Sequence, residues 1–451
     1  MPVAATAAAS KPPSHPTTAA SKHRRMKFSS LTHRIGGDGV DAWQVHYDAL
    51  ARLEAGEDII VLSIGQETEE QTPARIVAAA VDSLRAGRHH YTPVSGNADL
   101  RRAVAAHHAR RSGRQVAADN CAIFAGAQNA LFAVAQCILE AGDEVIVIAP
   151  YYTTYPATFT AAGARLVSVA ARADDEFQLD PDAVIKAMTA RTRAVVINSP
   201  NNPLGVVYAR ARVEAIARAC VERDIWLVCD DVYQELLTDQ ELAARGDPAA
   251  VPGAAAVCIS VSSLSKSHRM TGWRLGWVIG PEELMRHLEN LSMCMSYGLP
   301  AFIQDAAVAA LAGGDAMART IRRNLDRRRD LVRRCLNDAP GLKLFNAAGG
   351  MFVVLDLSGM KTAATTAATT GATAATTGAT AATTAATLSA RQFARGLLDN
   401  HRVAVLPCDG FGAGGERLLR LSLCVDDARL ADACARIKAH AQSLQASSIE
   451  A

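Results

Sequence analysis

Ser262-Ser263-Leu264-Ser265-Lys266-Ser267-His268-Arg269-Met270-Thr271-Gly272-Trp273-Arg274-Leu275-Gly276-Trp277 follows a run, Ala256-Val257-Cys258-Ile259-Ser260-Val261, that reads as a buried strand. A lysine at the mouth of such a strand is partly withdrawn from water. That lowers its pKa and frees the amine to attack a carbonyl. Ser263, Ser265 and Arg274 lie in the same short segment, and an arginine with hydroxyls suits a phosphate. A carbonyl-trapping Lys266 beside a phosphate clamp points to pyridoxal phosphate. The competing reading is a surface lysine on a polar loop, the usual fate of lysines.

The rest of the chain decides between the two. Short apolar strands, Cys121–Phe124, Glu144–Ile148, Ala194–Asn198, Ile225–Cys229 and Val257–Val261, alternate with segments of helical period, such as Leu131, Val134 and Ile138 on one face. Alternating βα units predict an α/β fold with a mostly parallel sheet covered by helices. In such sheets ligands bind beyond the carboxyl ends of the strands. Those ends carry Ala125-Gly126-Ala127-Gln128, Pro150-Tyr151-Tyr152, Ser199-Pro200-Asn201-Asn202-Pro203, Asp230-Asp231-Val232-Tyr233 and the Lys266 segment. One ligand could touch all five.

Each group has a use. Gly126, Ala127 and Gln128 open a helix whose free N–H groups suit a phosphate, with Arg274 and Ser263 completing the site. Tyr152 would lie on a pyridine ring; Tyr151 is the alternative. Asp230 would pair with a protonated ring nitrogen, and Asp231 is expected to be the more exposed of the two. Asn202 and Tyr233 would hydrogen-bond the ring oxygen, although Asn-Pro is also ordinary turn chemistry.

The set resembles the class I/II aminotransferases, the fold type I pyridoxal-phosphate enzymes. Their lysine motif, Ser-x-Ser-Lys followed by Gly-x-Arg-x-Gly-aromatic, corresponds to Ser263–Lys266 and Gly272–Trp277. Asn202-Pro203-Leu204-Gly205 is similar to their Asn-Pro-Thr-Gly, with Leu204 in place of Thr, and Asp230–Tyr233 to their Asp-Glu-x-Tyr. The resemblance covers about residues 35 to 440. It implies a large cofactor-binding domain plus a smaller α+β domain. It makes Lys266, Asp230 and Tyr233 catalytic, and Arg420, in Leu418-Leu419-Arg420-Leu421-Ser422, the grip on the substrate α-carboxylate, with Gly65 and Asn202 beside it. It makes Tyr91, before Thr92-Pro93 and Leu100-Arg101, the tyrosine that reaches a neighbouring subunit's phosphate, and hence implies a homodimer.

Closer similarity is to arginine:pyruvate transaminases, in Ser263–His268, Met270–Arg274, Leu288–Leu291, Phe302–Ala307, and Gly37-Asp38-Gly39 with Trp43, His46 and Tyr47. It implies an amino donor, L-arginine, and a 2-oxo acid acceptor, pyruvate, used alternately. The family's Gly-x-Pro-Asp-Phe-x-Thr-Pro reads Gly65-Gln66-Glu67-Thr68-Glu69-Glu70-Gln71-Thr72-Pro73 here. Glu67 or Glu69 is a candidate for facing a cationic substrate tail, with a solvated acidic loop as the alternative. Cys408 replaces the family's Gly after Pro407, near the active site, and is a candidate for altering the pocket. The same constellation serves carbon–sulfur lyases, oxidation of arginine by oxygen, or a non-catalytic sensor. A sensor needs a DNA-binding module, for which the residues before Ser29 are too few.

The expected division is a basic disordered tail at 1–27 and an N-terminal arm at 28–75 joining the small domain. A large domain at 76–325 and a small domain at 326–445 follow, the latter with a disordered Thr/Ala/Gly insert at 362–387. The chain has 451 residues, a net charge of +2, 49% hydrophobic residues and no apolar run long enough to span a bilayer, so neither nucleic acid nor membrane is expected as a partner. Ten cysteines without a Cys-x-x-Cys pair read as free thiols in a reducing cytoplasm. No metal site is expected. His89-His90 and His107-His108 read as surface or packing histidines.

Overall fold

The computed structural model describes residues 26–36, 42–67, 70–345, 347–360 and 388–449. The tail up to residue 25, Gly37-Asp38-Gly39, Glu69 and the Thr/Ala insert lie outside the described residues.

Thirteen strands are described. β1 (Ile60–Val61) precedes the main sheet, which is made of β2 (Cys121–Phe124), β3 (Glu144–Ala149), β4 (Arg165–Ala170), β5 (Thr192–Asn198), β6 (Trp226–Asp230), β7 (Cys258–Ser263) and β8 (Gly276–Ile279). Their order across the sheet is β2-β8-β7-β6-β5-β3-β4. All neighbours pair in parallel except β8, which runs antiparallel to both β2 and β7. The five expected strands are present, within a residue or two of the expected bounds. β4 and β8 are additional to them. β4 is an edge strand with three partly exposed and three exposed residues, so it lacks the buried run of its neighbours. β8 lies inside the stretch that reads as cofactor motif.

Apart from β4, the strands of this sheet are nearly continuous buried runs, as a sheet covered on both faces requires. The helix Ala127–Ile138 buries Leu131, Val134 and Ile138 on the sheet, as its period predicts. Register matters most for function. Asn198 lies opposite Asp230, and Asp230 opposite Val261, so the polar ends of β5, β6 and β7 arrive at one edge.

A second sheet is built from β9 (Lys343–Leu344), β10 (Phe352–Asp356), β12 (Leu406–Pro407) and β13 (Leu418–Ser422), all antiparallel, in the order β12-β13-β10-β9. Long helices at Ala316–Leu336, Ala390–His401 and Asp427–Ile449 cover it. Ser389 caps the middle one, its hydroxyl accepting from Gln392 N–H while the Gln392 side chain accepts from Ser389 N–H. The N-terminal segment joins this core: β1 pairs in parallel with β11 (Val403–Ala404), and Ile59, Ile60 and Leu62 pack among Phe393, Leu419 and Leu421. All ten cysteines are free, with Cys229 and Cys258 buried. Among the described residues no helix is long and apolar enough to cross a membrane.

Candidate active site

A cavity of 420 Å³ lies where the carboxyl ends of the main sheet meet the second sheet and the N-terminal segment. Gly65, Ala127, Gln128, Tyr152, Asn202, Asp230, Tyr233, Ser263, Lys266, Arg274 and Arg420 all line it. Residues far apart in sequence, from Gly65 to Arg420, are therefore brought together by the fold.

Lys266 follows β7 and is half-buried, and its Nζ donates to the carbonyl of Gly65 at 2.8 Å. Burial pulls its pKa down to about 8; Arg420 and Arg274 add to the fall, while Cys424 and Asp230 oppose it. Roughly a tenth of the amine is thus unprotonated at pH 7, some hundreds of times more than for an ordinary lysine, which favours a carbonyl-trapping role. Gly65 can approach only because it lacks a side chain: a Cβ there would come 2.5 Å from Phe352 Cζ.

Asp230 ends β6. Tyr155 donates its hydroxyl to Asp230 Oδ2 at 2.6 Å, and Asn198 Nδ2 donates to the Asp230 carbonyl at 2.9 Å. Burial raises its carboxyl pKa to about 6, against the opposing pull of Tyr155, the Val232 N–H and Lys266. A buried carboxylate held partway to protonation is one that a cationic group would bring back to full charge. Asp231 corrects the sequence reading. It is as buried as Asp230, because Arg245 and Ser260 engage its two oxygens on the far side of the strand.

Arg420, on β13, is among the largest fully buried side chains. Its Nη1 donates to Asn202 Oδ1 at 2.9 Å and its Nη2 to the Ser63 carbonyl at 2.6 Å, while Nε has no partner. Its guanidinium lies 4.0 Å from the Phe352 ring centre and 5.5 Å from that of Phe411. Asn202 also donates to Tyr233 Oη at 3.4 Å, and its own N–H is held by Asn198 Oδ1 at 2.7 Å. Arg420, Asn202 and Tyr233 therefore form one connected network.

A corner suited to an anion is formed at Gly126, which caps the helix Ala127–Ile138 with φ of 86°. A Cβ at this position would collide with the Arg274 guanidinium, so the glycine makes room for a cation at the helix N-terminus. Arg274 is aimed by bonds to the carbonyls of Thr271 and Ala125. The Gln128 side chain is occupied by Thr154 and Thr158, which leaves its backbone N–H for a ligand. The donor set fits pyridoxal phosphate: an amine of lowered pKa, a carboxylate for the ring nitrogen, an aromatic face in Tyr152, and N–H, hydroxyl and guanidinium donors for the phosphate.

Three residues lie outside the sequence reading. Tyr155 has no signal to set it apart in Tyr151-Tyr152-Thr153-Thr154-Tyr155. Asn198 has one, as the last residue of a buried strand. Trp43 lines the cavity 5.8 Å from Arg420, on a segment read only for resemblance.

Other expectations are corrected. Glu67 faces no open cavity tail: it is buried between Arg269, at 2.7 Å, and Arg328, at 3.3 Å. Cys408 is fully buried in the core and does not line the cavity. Tyr91, expected to serve a neighbouring subunit, stands apart from these corrections: it is 87% exposed, its ring against Tyr297, and it does not line the cavity of its own chain. His107 and His108 are the buried, packing alternative of the two readings, and His107 pairs with Glu235 at 2.8 Å. Asp315 lies close enough to complete a three-residue metal set, but Arg111 stands 3.4 Å from Glu235 and 3.7 Å from Asp315 and already supplies the positive charge.

Comparison with known proteins agrees with the geometry. The family described as aminotransferase class I and II matches residues 57–437. The chain is 46% identical over 412 residues to arginine–pyruvate transaminase AruH of Pseudomonas aeruginosa, covering 91% of this chain and 97% of that protein. It is 34% identical to an aspartate/prephenate aminotransferase of Cereibacter sphaeroides, over 86% of this chain and 93% of that one. Among solved structures, the aspartate aminotransferase of Thermus thermophilus with maleate superposes with a TM-score of 0.80 at 30% identity, covering 92% of this chain and all of that one.

Proposed function

The chain belongs to the class I and II aminotransferases, which are pyridoxal-phosphate enzymes, and from that premise we propose that it moves the amino group of L-arginine to pyruvate. The observation that carries the chemistry is the half-buried Lys266, its pKa lowered, sharing one cavity with Asp230 and Arg420. What supports the donor and acceptor is the likeness to the Pseudomonas aeruginosa transaminase.

When bound, pyridoxal phosphate supplies the aldehyde and the ring that accepts the electron pair from the substrate Cα. Gly126, Ala127, Gln128, Ser263 and Arg274 hold its phosphate. Tyr152 would cover one ring face, Asp230 would pair with a protonated ring nitrogen, and Asn202 and Tyr233 would bond the ring oxygen. Arg420 grips the α-carboxylate bidentately, with Asn202 and Gly65 beside it. Lys266 would hold the cofactor through its amine and, when free, would serve as the base that takes up and returns the substrate Cα proton. The second half-reaction runs the same residues in reverse with the 2-oxo acid.

The exposed Tyr91 supports a homodimer in which each subunit's tyrosine serves the neighbouring phosphate. Ten free thiols support a reducing, cytoplasmic setting. We keep the division into a large domain at 76–325 and a small one at 326–445.

The test is a visible-absorption titration of the holoenzyme with single amino acids under nitrogen. Loss of the bound-cofactor band with L-arginine, and its return with pyruvate, is the expected result. A band that responds to another amino acid and ignores arginine discards this donor. Release of ammonia without an oxo acid would mean a lyase instead.

A further inference from the structure

The arm from Ser63 to Glu67 touches both groups on which the chemistry depends. The Ser63 carbonyl accepts from Arg420 Nη2 at 2.6 Å, and the Gly65 carbonyl accepts from Lys266 Nζ at 2.8 Å. The two ends of the arm are held differently. Before Ser63 the backbone fixes it: Leu62 N–H donates to the Ala404 carbonyl, and the Leu62 carbonyl accepts from Ser422 N–H, each at 2.7 Å. From Ile64 to Glu67 the arm has no backbone bond to a strand among the described residues. The Glu67 carboxylate holds that end instead. Its Oε2 accepts from Arg269 Nε at 2.7 Å and its Oε1 from Arg328 Nη1 at 3.3 Å.

The two arginines stand on opposite sides of the arm. Arg269 lies in the lysine segment, and its carbonyl accepts from Thr72 Oγ1 at 2.7 Å. Arg328 lies on the helix Ala316–Leu336, and its Nη1 also donates to the Leu423 carbonyl at 3.1 Å, just beyond the strand that carries Arg420. All three side chains are at most 9% exposed, so water and salt screen the bridge little. Gly65, Glu67, Ser265, Lys266 and Arg269 line one small cavity of 20 Å³, which leaves the lysine little slack on that side.

We propose that Glu67 is a positioning residue for Lys266: by clamping the free end of the arm, it sets the Gly65 carbonyl against which the amine is aimed. The role rests on Lys266 being the cofactor lysine, and not on which amino acid is the donor. Arg420 is held by the end that the backbone fixes, so it keeps its place when the clamp is released. Displacing a reacting group by about 1 Å can cost about a hundredfold in rate.

The test uses Glu67→Gln, which keeps the shape and removes the charge. Glu70→Gln is the control, since the exposed Glu70 also pairs with Arg269, at 3.2 Å. Denaturant melts establish that each variant is folded. Arg328→Gln releases one side of the clamp, leaves a neutral pair, and gives the same readouts where Glu67→Gln does not fold. Apo-protein is trapped on pyridoxal phosphate with borohydride at pH 7, with Nα-acetyl-lysine as reference. The trapped ratio of Lys266 is expected to fall about threefold or more, as the loosened amine moves toward an ordinary lysine. The groups facing the amine, Asp230, Arg274, Arg420 and Cys424, are unchanged in the variant. Loss of a negative charge alone would free more amine and raise the ratio, so a fall reports the arm. Holoenzyme is then followed through a single turnover with L-arginine. The rate constant at saturation is expected to fall about tenfold or more, with the half-saturating concentration within about twofold of wild type. A protein that is merely less stable loses amplitude and keeps its rate constant. A trapping ratio that is unchanged or raised in folded Glu67→Gln overturns the proposal. So does an equal loss in Glu70→Gln, or a shifted half-saturation at an unchanged rate constant. Wild type that ignores L-arginine discards that donor and leaves the trapping ratio to decide on Glu67. Wild type whose Lys266 is not trapped removes both the lysine reading and the clamp.

Discussion

The lowered pKa of Lys266 can be measured directly on the protein without cofactor. Its amine titrates near 8 instead of 10.5, mainly through burial. Below pH 8 the unprotonated fraction should exceed that of a free lysine side chain by roughly 300-fold. Apo-protein is mixed with pyridoxal phosphate and Nα-acetyl-lysine, quenched with borohydride at short times, and the peptide carrying Lys266 is quantified by mass. Taking the ratio to the free lysine cancels the aldehyde's own ionisations. The ratio is expected to be flat below pH 8 and to fall about tenfold per pH unit between 8 and 10.5. A ratio independent of pH from about 7 to about 10 would refute the claim that burial tunes this amine.

Asp230 gives a stability test. Its folded pKa, about 6, lies above the ordinary 3.8, so between those values the folded state binds more protons than the unfolded state and stability falls as pH rises. Asp230→Asn should therefore stabilise the apo-protein at about pH 7.5 by up to about 3 kcal/mol, with the gain vanishing below about pH 4, while transamination is lost; denaturant melts at both pH values decide. Glu67→Ala strips a shared partner from two buried arginines and should cost about 3 kcal/mol in the same melts; a loss under about 0.5 kcal/mol would place the pair outside the core of the fold. Gly126→Ala forces a side chain against Arg274 and should weaken pyridoxal-phosphate binding at least about tenfold by equilibrium dialysis.

Much of the site is legible because strand ends announce themselves. Asn202, Asp230 and Lys266 each follow a buried apolar run, and parallel register brings those ends together. Burial is harder to read. Asp230 and Asp231 are adjacent carboxylates on opposite sides of one strand, and Asp231 is hidden by Arg245, a residue with no motif around it. Glu67 resembles a substrate ligand because the arm is near the site. Its partners, Arg269 and Arg328, lie 202 and 261 residues away in sequence, where no local pattern ties them to it. β4 and β8 escape notice for different reasons, one half exposed at an edge and the other hidden inside a motif.

Arg420 sits among rings with its guanidinium already oriented by Asn202 and Ser63. The grip proposed for the substrate carboxylate would recognise that group and be indifferent to what the neighbouring carbon carries. Donor and acceptor must therefore take turns at the same anchor, and each excludes the other. In kinetic terms, excess oxo acid should inhibit by occupying the cofactor form meant for the amino acid. Simple organic acids in an assay buffer should do the same.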